Sequence, residues 1–302
     1  MKKLLMTGVA LAALTAMTGN ANAAFVLGMK GPGAGNPFWA AVEAGAKAMG
    51  QELGVEVIVV APPAESDVQA QITQIEDLIA QGVDGIALAP TDPNALAPVV
   101  EAAKAAGIPV VFVDTRGINE GVTFIGTNNE VGAALAADFM CKNLPAGADV
   151  AILQGLISQS TGQARADGSK KGLTDCGLKV VAEQTAEWDR AKGLSVTENI
   201  LAGNPNIKGI FGSNDNMALG AVEALKAAAM LADVMVVGFD ANPDAAASIL
   251  AGEMTASVAQ APANMGGFGI RALVDLKAGK TLEPWIDTGT VLVTKENAAE
   301  YK

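Results

Sequence analysis

The sequence predicts an α/β protein made of two similar lobes, each a doubly wound parallel sheet, joined by a three-crossover hinge. Two observations lead to this prediction. Short, almost continuously apolar runs alternate with Ala-rich amphipathic segments, as in parallel sheets that helices cover on both faces. The same order of runs then occurs a second time, in a chain of 302 residues that is too long for one hydrophobic core.

The first half begins with the apolar run FVLGMK. It is followed by NPFWAAVEAGAKAMGQELG, whose apolar residues recur at helical spacing. Further β-rich runs are bounded by Gly, Pro and Asp, which are frequent in turns. The predicted strands of this half are 25–30, 55–61, 85–90, 109–114 and 122–126.

The second half repeats this order. Val26 and Val150 lie in matching first strands, and Gly85 and Gly209 are separated by the same interval. The segment NDNMALGAVEALKAAAM is one of the helices predicted between the strands. The predicted strands of this half are 150–154, 178–184, 208–212, 234–240 and 255–260.

The chain is predicted to cross between the lobes three times. A helix at 262–278 and a short strand at 290–293 remain, and completing both sheets requires crossings near Thr127, Gln260 and Ile286. Ligands of open parallel sheets lie beyond the carboxyl ends of the strands, so two facing lobes would bring both sets of strand ends to one cleft. The predicted lobes are 24–127 with 261–286 and 128–260 with 287–302.

Residues 1–23 have the features of a secretory signal peptide. Lys2 and Lys3 precede an apolar stretch that is too short to span a bilayer. Ala21-Asn22-Ala23 is a cleavage signal, so we expect cleavage near Ala23. The mature protein is therefore predicted to be exported to the periplasm.

The composition excludes several classes of function. Acidic residues outnumber basic ones by 32 to 20, and an acidic chain without a basic run predicts no nucleic-acid or anionic-lipid partner. The sequence has no histidine, which excludes histidine catalysis and histidine-bound metals. We predict no catalytic residue, metal or cofactor, and do not expect an enzyme.

The two cysteines, Cys141 and Cys176, allow two interpretations. In the oxidising compartment that export implies, they could form a disulfide, which would stabilise the fold by roughly 4 kcal/mol in the chain-entropy model. The alternative is a pair of buried thiols. Neither interpretation is catalytic.

The glycine-rich loop GPGAG, residues 31–35, does not fit the nucleotide-binding patterns. The dinucleotide fingerprint requires G-x-G-x-x-G, whereas Asn36-Pro37 follows here, and no lysine with Ser or Thr comes next. Gly279-Lys280-Thr281 resembles the end of a phosphate-binding loop, but Val274 stands where that motif requires its first glycine. Both nucleotide-binding interpretations are therefore rejected.

The segment Asn36-Pro37-Phe38-Trp39 predicts the start of a helix. Asn is a favourable N-cap and Pro suits the first helical position. Phe38 and Trp39 then lie in the first turn, beyond the carboxyl end of the first strand. Consecutive side chains on a helix point about 100° apart, so we do not expect both rings to be core residues alone.

Trp188 holds a similar position in the second half, after the strand at 178–184. Flat rings from opposite lobes could sandwich a sugar while polar groups at the strand ends bind its hydroxyls. For each single Asp or Asn the alternative is a turn or cap residue, and Asp215 fits that alternative well. The polar candidates are Asp114, Arg165, Asn214, Asp215, Asp240 and Gln260.

Five segments, NPFW, EWDRAKGL, SNDNMALGA, VVGFD and ASVAQ, together resemble the ribose-type periplasmic sugar-binding proteins of ABC transporters, which include D-allose binders. The resemblance extends over essentially the whole mature chain. It implies the type I periplasmic binding protein fold, in which two lobes joined by three crossovers close on one monosaccharide. It also implies that the ligand is presented to a membrane permease.

The resemblance also implies which residues contact the ligand. Asn36, Phe38 and Trp39 match the family's Asn-Pro-aromatic-aromatic segment, and Trp188 matches a stacking position. The matching polar positions are Asp114 at the end of the fourth strand, Arg165 in an R-x-x-G segment, Asn214 of the Asn-Asp segment, Asp240 of GFD and Gln260 in the hinge.

The sequence departs from the ribose-binding members at two places. Thr115 follows Asp114 where those members have Arg, and Arg116 comes one position late; Thr115 is kept as a candidate contact. The loop at 31–35 is also longer than usual, which could move Lys30 towards the ligand.

These observations predict a solute-binding protein that captures a monosaccharide or related polyol by hinge closure and delivers it to an ABC permease. We expect a monomer, with a chemoreceptor as a further partner. One alternative is a receptor for another small polar ligand, such as a furanosyl quorum signal. A sugar-processing enzyme would need Asp114 and Asp240 as paired carboxylates. A sugar-dependent repressor would need an N-terminal helix-turn-helix where the signal peptide is predicted.

Overall fold

The computed structural model describes residues 23–302, so the predicted signal peptide lies outside the described residues apart from Ala23. It contains two six-stranded sheets with helices on both faces, which confirms the predicted fold class. Within the described part of the chain, no helix is both long and apolar enough to cross a membrane.

The elements alternate along the chain as strand and helix. The strands are β1 (Ala24–Gly28), β2 (Glu56–Val60), β3 (Gly85–Leu88), β4 (Val110–Val113), β5 (Phe124–Gly126), β6 (Asp149–Gln154), β7 (Lys179–Thr185), β8 (Gly209–Gly212), β9 (Met235–Asp240), β10 (Ala256–Ala259), β11 (Trp285–Asp287) and β12 (Val291–Val293). The helices are α1 (Pro37–Leu53), α2 (Val68–Gln81), α3 (Ala97–Ala105), α4 (Asn129–Asn143), α5 (Ser160–Asp175), α6 (Arg190–Gly203), α7 (Asp215–Ala227), α8 (Pro243–Ala251) and α9 (Pro262–Lys277). Short 3₁₀-helices lie at Gly33–Gly35 and Ala298–Tyr301.

The two sheets have the same strand order. The first has the order β11-β5-β4-β3-β1-β2 and the second the order β12-β10-β9-β8-β6-β7. All strands of the first sheet run parallel, whereas β12 in the second pairs antiparallel with β10. We call each sheet with the helices packed on it the first and the second lobe.

Alternate residues of the central strands point to opposite faces of each sheet. In β1, Phe25 and Leu27 join an apolar cluster with α1 and α9, whereas Val26 joins a second cluster on the α2 and α3 side. The second lobe has the same pair of clusters on either side of its sheet. Burial on both faces explains why the strands are apolar almost throughout.

Each of the eleven apolar runs predicted as strands contains a strand. The strand that the sequence did not predict is β11, because its three residues follow a polar Lys-Thr-Leu-Glu-Pro segment and show no alternation. The segments between the lobes are 127–128, 260–261 and 288–290. The predicted crossings near Thr127 and Gln260 lie in the first two, and Ile286 lies inside β11. The lobe boundaries themselves stay a prediction.

Helix α9 packs tightly against α1 in the first lobe. A Cβ on Gly45 would lie 1.9 Å from the carbonyl oxygen of Ala263, and one on Gly266 would lie 1.9 Å from that of Val42. The two backbones therefore touch directly, and glycine is required at both positions. This contact fixes α1, whose first turn carries the aromatic pair, to the helix that follows the second crossing.

Cys141 of α4 and Cys176, which caps α5, are joined by a disulfide in the second lobe. Of the two interpretations of these cysteines, the structure therefore contains the disulfide and not the pair of buried thiols. It joins the two helices across a loop that spans 35 positions in the sequence.

Candidate functional site

A small cavity lies between the lobes, at the carboxyl ends of both sets of strands. Most of its wall is polar or charged. The lining residues are Lys30, Asn36, Phe38, Trp39, Glu65, Asp114, Thr161, Arg165, Trp188, Asn214, Asp240 and Gln260.

Helix α1 begins at the cavity as the sequence predicts. Asn36 is its N-cap, with its side chain accepting a hydrogen bond from the Phe38 N–H at 3.1 Å, and Pro37 holds the first position. The preceding loop forms the 3₁₀-helix Gly33–Gly35. The loop therefore has regular structure and leads directly into the helix cap.

Phe38 and Trp39 pack edge to face, with their ring centroids 5.1 Å apart. Both are almost completely buried and belong to the core of the first lobe, yet both also line the cavity. The expectation that they are not purely core residues agrees with this arrangement. The indole N–H of Trp39 donates to Glu65 Oε1 at 2.8 Å, which fixes the plane of the ring.

Lys30 is 3% exposed and extends from the end of β1 into the cavity. Its ammonium group lies 3.2 Å from Asp114 Oδ2 and 3.7 Å from Glu65 Oε2. It also lies 5.5 Å from the ring centroid of Trp39 and 5.6 Å from that of Trp188. A cation thus stands at the edge of the gap between the two indole rings, with carboxylates to balance its charge.

Asp114 follows β4 with φ of 62°, a backbone conformation that aspartate tolerates better than most residues. Its Oδ2 accepts a hydrogen bond from Thr115 Oγ1 at 2.7 Å. Thr115 is fully buried and does not line the cavity, so it acts on the carboxylate of Asp114 instead. The guanidinium of Arg116 lies away from the cavity and packs 4.8 Å from the ring centroid of Phe124.

Trp188 enters the cavity from the second lobe, between β7 and α6, with φ of 65°. Its ring occupies the space beside Gly155, where a Cβ would lie 2.1 Å from a ring atom. Its indole N–H donates to Gln159 Oε1 at 2.9 Å. The same oxygen accepts a hydrogen bond from Lys30 Nζ at 2.8 Å.

Arg165 is held on one side of the cavity by three partners. Its Nε donates to Asn129 Oδ1 at 2.7 Å, and its Nη1 donates to the Ser213 carbonyl at 2.9 Å and to Asp240 Oδ1 at 3.5 Å. The guanidinium also lies 3.9 Å from the ring centroid of Phe239. Every partner belongs to the second lobe, so the position of this cation is set before any ligand arrives.

Asp240 ends β9 with φ of 114°, which is strained for a residue with a side chain. Its Oδ1 accepts a hydrogen bond from Gln260 Nε2 at 2.6 Å. Burial raises the pKa of Asp240 to about 7, although the Arg165 guanidinium and the Gln260 amide act to lower it. Gln260 lies in the second crossing, so the carboxyl is tied to the hinge.

Asn214 serves both the helix and the cavity. Its side-chain oxygen caps α7 by accepting the Met217 N–H at 2.9 Å, and its Nδ2 donates to the Trp188 carbonyl at 3.2 Å. The cap interpretation and the ligand interpretation are therefore compatible at this residue.

Asp215 does not line the cavity. It is fully buried, and its two oxygens accept hydrogen bonds from Ser257 Oγ at 2.6 Å and from the Asn242 N–H at 2.7 Å. Burial, with the Asp240 carboxylate nearby, raises the pKa of Asp215 well above its ordinary value. Its contacts hold the turn after β9, whereas the cap of α7 is Asn214 and not Asp215.

The structure thus brings nine of the ten predicted contacts and Lys30 to one cavity, with Thr115 and Asp215 outside it. Glu65, Thr161 and Gln159 are not among the residues that the sequence predicts for the site. Glu65 lies in the loop after β2 and the other two lie at the start of α5. The one sequence signal for these residues was a position in the segment that follows a strand, and many other polar residues have such a position.

Comparison with known proteins gives one family. A model described as the periplasmic binding protein domain matches residues 27–281. The ribose import binding protein RbsB of Bacillus subtilis (strain 168) is 38% identical over 274 residues, which cover 90% of this chain and 88% of the relative. The D-allose-binding periplasmic protein of Escherichia coli (strain K12) is 38% identical over 259 residues, which cover 82% of this chain and 83% of the relative.

A solved structure agrees over nearly the whole fold. It is an ABC transporter periplasmic solute binding protein from Actinobacillus succinogenes 130z with bound D-allose. Its TM-score is 0.87 at 30% sequence identity, and the superposition covers 92% of this chain and 100% of that one.

Proposed function

Because the chain belongs to the periplasmic binding protein domain family, we propose that it captures a monosaccharide or related polyol and delivers it to an ABC permease. One observation carries the choice of ligand. Aromatic rings from both lobes line one small cavity, and charged, amide or hydroxyl side chains line the rest of its wall. This arrangement suits a ligand with apolar C–H faces and a rim of hydroxyls.

The proposed contacts divide by chemistry. Phe38, Trp39 and Trp188 cover the faces of the sugar ring, and the polar and charged lining residues take its hydroxyls. Hydrogen bonds to charged groups contribute roughly 1.5–3 kcal/mol each. A few of them support a micromolar complex, about −8 kcal/mol, after the costs of association. The proposed contacts are Asn36, Phe38, Trp39, Asp114, Arg165, Trp188, Asn214, Asp240 and Gln260, with Lys30.

Capture follows from the division of the site between lobes. Each lobe holds part of the cavity wall, so the ligand contacts both parts only when the lobes are closed. Ligand binding then stabilises the closed form through contacts that the open form does not make. The closed protein presents its two lobes together to the permease, and to a chemoreceptor if the cell uses the ligand as a signal.

The proposal places the mature protein in the periplasm as a monomer without catalytic activity. Export rests on the predicted signal peptide, and the periplasmic relatives support it. The acids that an enzyme would use are already paired, since Asp114 contacts Lys30 and Asp240 contacts Arg165 and Gln260. Carboxylates that are paired in this way suit the role of fixed hydrogen-bond acceptors for a bound sugar.

A thermal-shift screen of the mature protein tests the proposal. The panel contains D-allose, D-ribose, D-arabinose, myo-inositol and a furanosyl quorum signal. We expect at least one monosaccharide or polyol to raise the melting temperature, and titration calorimetry to give a one-site isotherm. If only the furanosyl signal raises it, the alternative receptor function holds; if no compound does, the proposal is wrong.

Recovery of the ligand separates a receptor from an enzyme. The sugar that binds is incubated with the protein, released by denaturation and analysed by mass spectrometry. A receptor returns it unchanged at all times, whereas conversion that increases with protein concentration would show an enzyme.

A further inference from the structure

The hydrogen bonds that join the lobes away from the three crossings converge on one short segment. Among residues 23–302, they all end at residues 159–161, which we call the interlobe segment. Ser160 Oγ exchanges hydrogen bonds with the N–H and carbonyl of Arg116, at 3.0 and 3.1 Å. Lys30 Nζ lies 3.4 Å from Thr161 Oγ1. The first turn of α5 thus carries the polar contact between the lobes.

Gln159 has a special place in this segment. It is fully buried, and its Oε1 accepts from Lys30 Nζ of the first lobe and from Trp188 Nε1 of the second, at 2.8 and 2.9 Å. Its Nε2 donates to the Glu65 carbonyl at 3.4 Å. One side chain therefore uses both of its polar atoms to bridge the cleft.

The bridge connects the two indole rings. Trp39 is held by Glu65, whose carboxylate lies 3.7 Å from Lys30 Nζ, and Trp188 is held by Gln159. Lys30 joins these two supports. The spacing of the rings across the cleft therefore depends on the Lys30–Gln159 hydrogen bond.

The topology explains why these two residues meet. Lys30 follows β1 and Gln159 follows β6, and these strands hold the same place in the two sheets. Facing lobes bring equivalent strand ends opposite each other. Gln159 does not line the cavity, so it can act on a ligand only through Lys30 and Trp188.

We propose that Gln159 is a positioning residue that bridges the lobes through Lys30 and Trp188 and favours the closed arrangement of the protein without ligand. This proposal rests on the proposed function, because closure of the lobes is the step that captures the sugar. The bridge itself needs no ligand. Ligand affinity depends on it because the apparent dissociation constant scales inversely with the population of the binding-competent form.

Interlobe distances in the ligand-free protein test the bridge. Spin labels are placed at Gln69→Cys on α2 and Ala191→Cys on α6, which are both exposed, lie on opposite lobes and stand in the first turn of their helices. The native cysteines are paired and do not react. We expect a short separation in the otherwise native protein. A charge-assisted hydrogen bond is worth roughly tenfold in the closure equilibrium, so Gln159→Met should produce a clearly populated longer separation.

Three further variants control the experiment. Gln163→Met, on the exposed side of α5 four residues later, should keep the native distribution. Gln159→Glu retains an oxygen acceptor for both donors and should restore the short separation. Lys30→Met breaks the same bridge from the other lobe, so it should lengthen the separation. Adding Gln159→Met should then have little further effect, because only the long Gln159–Glu65 carbonyl contact of 3.4 Å is left to remove. The Lys30→Met variant also tests the bridge if Gln159→Met fails to fold.

The outcomes separate this proposal from the proposed function. If the ligand-free protein is already open, or if Gln159→Met and Lys30→Met both leave its distances unchanged, the bridge proposal is wrong, whatever sugar binds. If no sugar in the panel binds, the proposed function fails while the distances still decide the bridge. For a sugar that does bind, Gln159→Met should weaken affinity by the same factor by which it reduces the closed population, and Gln159→Glu should recover it.

Discussion

The two lobes share one strand order but hold their main cavity residues in place in different ways. The first lobe presents Phe38 and Trp39, which are part of its own hydrophobic core. The second lobe presents Arg165 and Asp240, which are held by a buried polar network. Packing is the main support of Phe38 and Trp39, with one hydrogen bond from the Trp39 indole to Glu65, whereas hydrogen bonds are the main support of Arg165 and Asp240.

This difference shows how a duplicated fold divides the work of binding. A ring platform made of core residues is rigid because moving it would disturb the packing of the lobe. A buried ion network is rigid because each group must keep its partners. Changes in the second lobe should therefore reduce affinity most, and changes that only move a ring should cost less.

Arg165→Ala should have the largest effect. It removes a buried cation and leaves Asp240 without its charged partner, which costs about 3–5 kcal/mol at such sites. We expect sugar binding to be lost in calorimetry while circular dichroism shows a folded protein, and Asp240→Ala should behave the same. Arg190→Ala, which removes an exposed arginine of the same lobe, is the control and should bind normally. Native affinity in Arg165→Ala would show that the ligand lies elsewhere.

Loss of the disulfide should affect stability and not binding. The double substitution Cys141→Ser and Cys176→Ser releases a constraint that lies within the second lobe alone and is worth about 2–4 kcal/mol. We expect a lower midpoint of urea unfolding and an unchanged dissociation constant. A weaker dissociation constant would mean that the α4–α5 pair supports the site directly.

Gly155→Ala should displace a ring without removing any ligand contact. The new Cβ would lie 2.1 Å from a Trp188 ring atom, and overpacking of this kind costs about 1–3 kcal/mol. We expect about tenfold weaker sugar binding and an altered tryptophan fluorescence spectrum. Gly203→Ala, where a Cβ meets no atom within 4 Å, is the matched control. Equal affinities in the two variants would contradict the stacking role of Trp188.

The effect of pH should be gradual, because it follows the titration of a buried carboxyl group. The pKa of Asp240 is raised to about 7 when folded, above its ordinary value of 3.8, so the folded state holds a proton that the unfolded chain releases. The stability of the ligand-free protein should therefore fall as pH rises from about 4 to 7. A sugar hydroxyl that donates to Asp240 favours the carboxylate, so affinity should rise with pH up to about 7, at most about tenfold per pH unit.

Melting curves and calorimetry over pH 5–8 measure both effects. Asp240→Asn removes the titrating group, so its ligand-free melting temperature should lose most of this slope. The pKa of the neighbouring buried acid, Asp215, is also raised in the folded protein, so Asp215 leaves part of the slope in place. An unchanged slope in Asp240→Asn would assign the whole effect to Asp215.

Much of the fold was accessible from the sequence because burial on both faces leaves a continuous apolar signature. The helix start at Asn36 could be predicted for a different reason, because an N-cap residue followed by proline starts a helix through local interactions alone. The strand β11 could not, because three residues at a sheet edge are specified by their neighbour β5 and not by their own pattern.

The candidate site was accessible where a residue ends a strand or begins a helix, as for Asp114, Asn214 and Asp240. Glu65 and Gln159 escaped because their roles depend on tertiary contacts, one with Trp39 and the other across the cleft. Arginine or aspartate in a known segment can be recognised from sequence alone, whereas a glutamine that bridges two lobes has no sequence pattern.

The chain order of the edge strands has a consequence for how the molecule forms. One edge of each sheet is completed by β11 or β12, and these two strands lie side by side in the sequence at 285–293. A polypeptide that emerges from a translocation channel amino end first would deliver both edges last. Neither lobe could finish its sheet during transit, so both would reach their final stability almost together, when the last few residues are released.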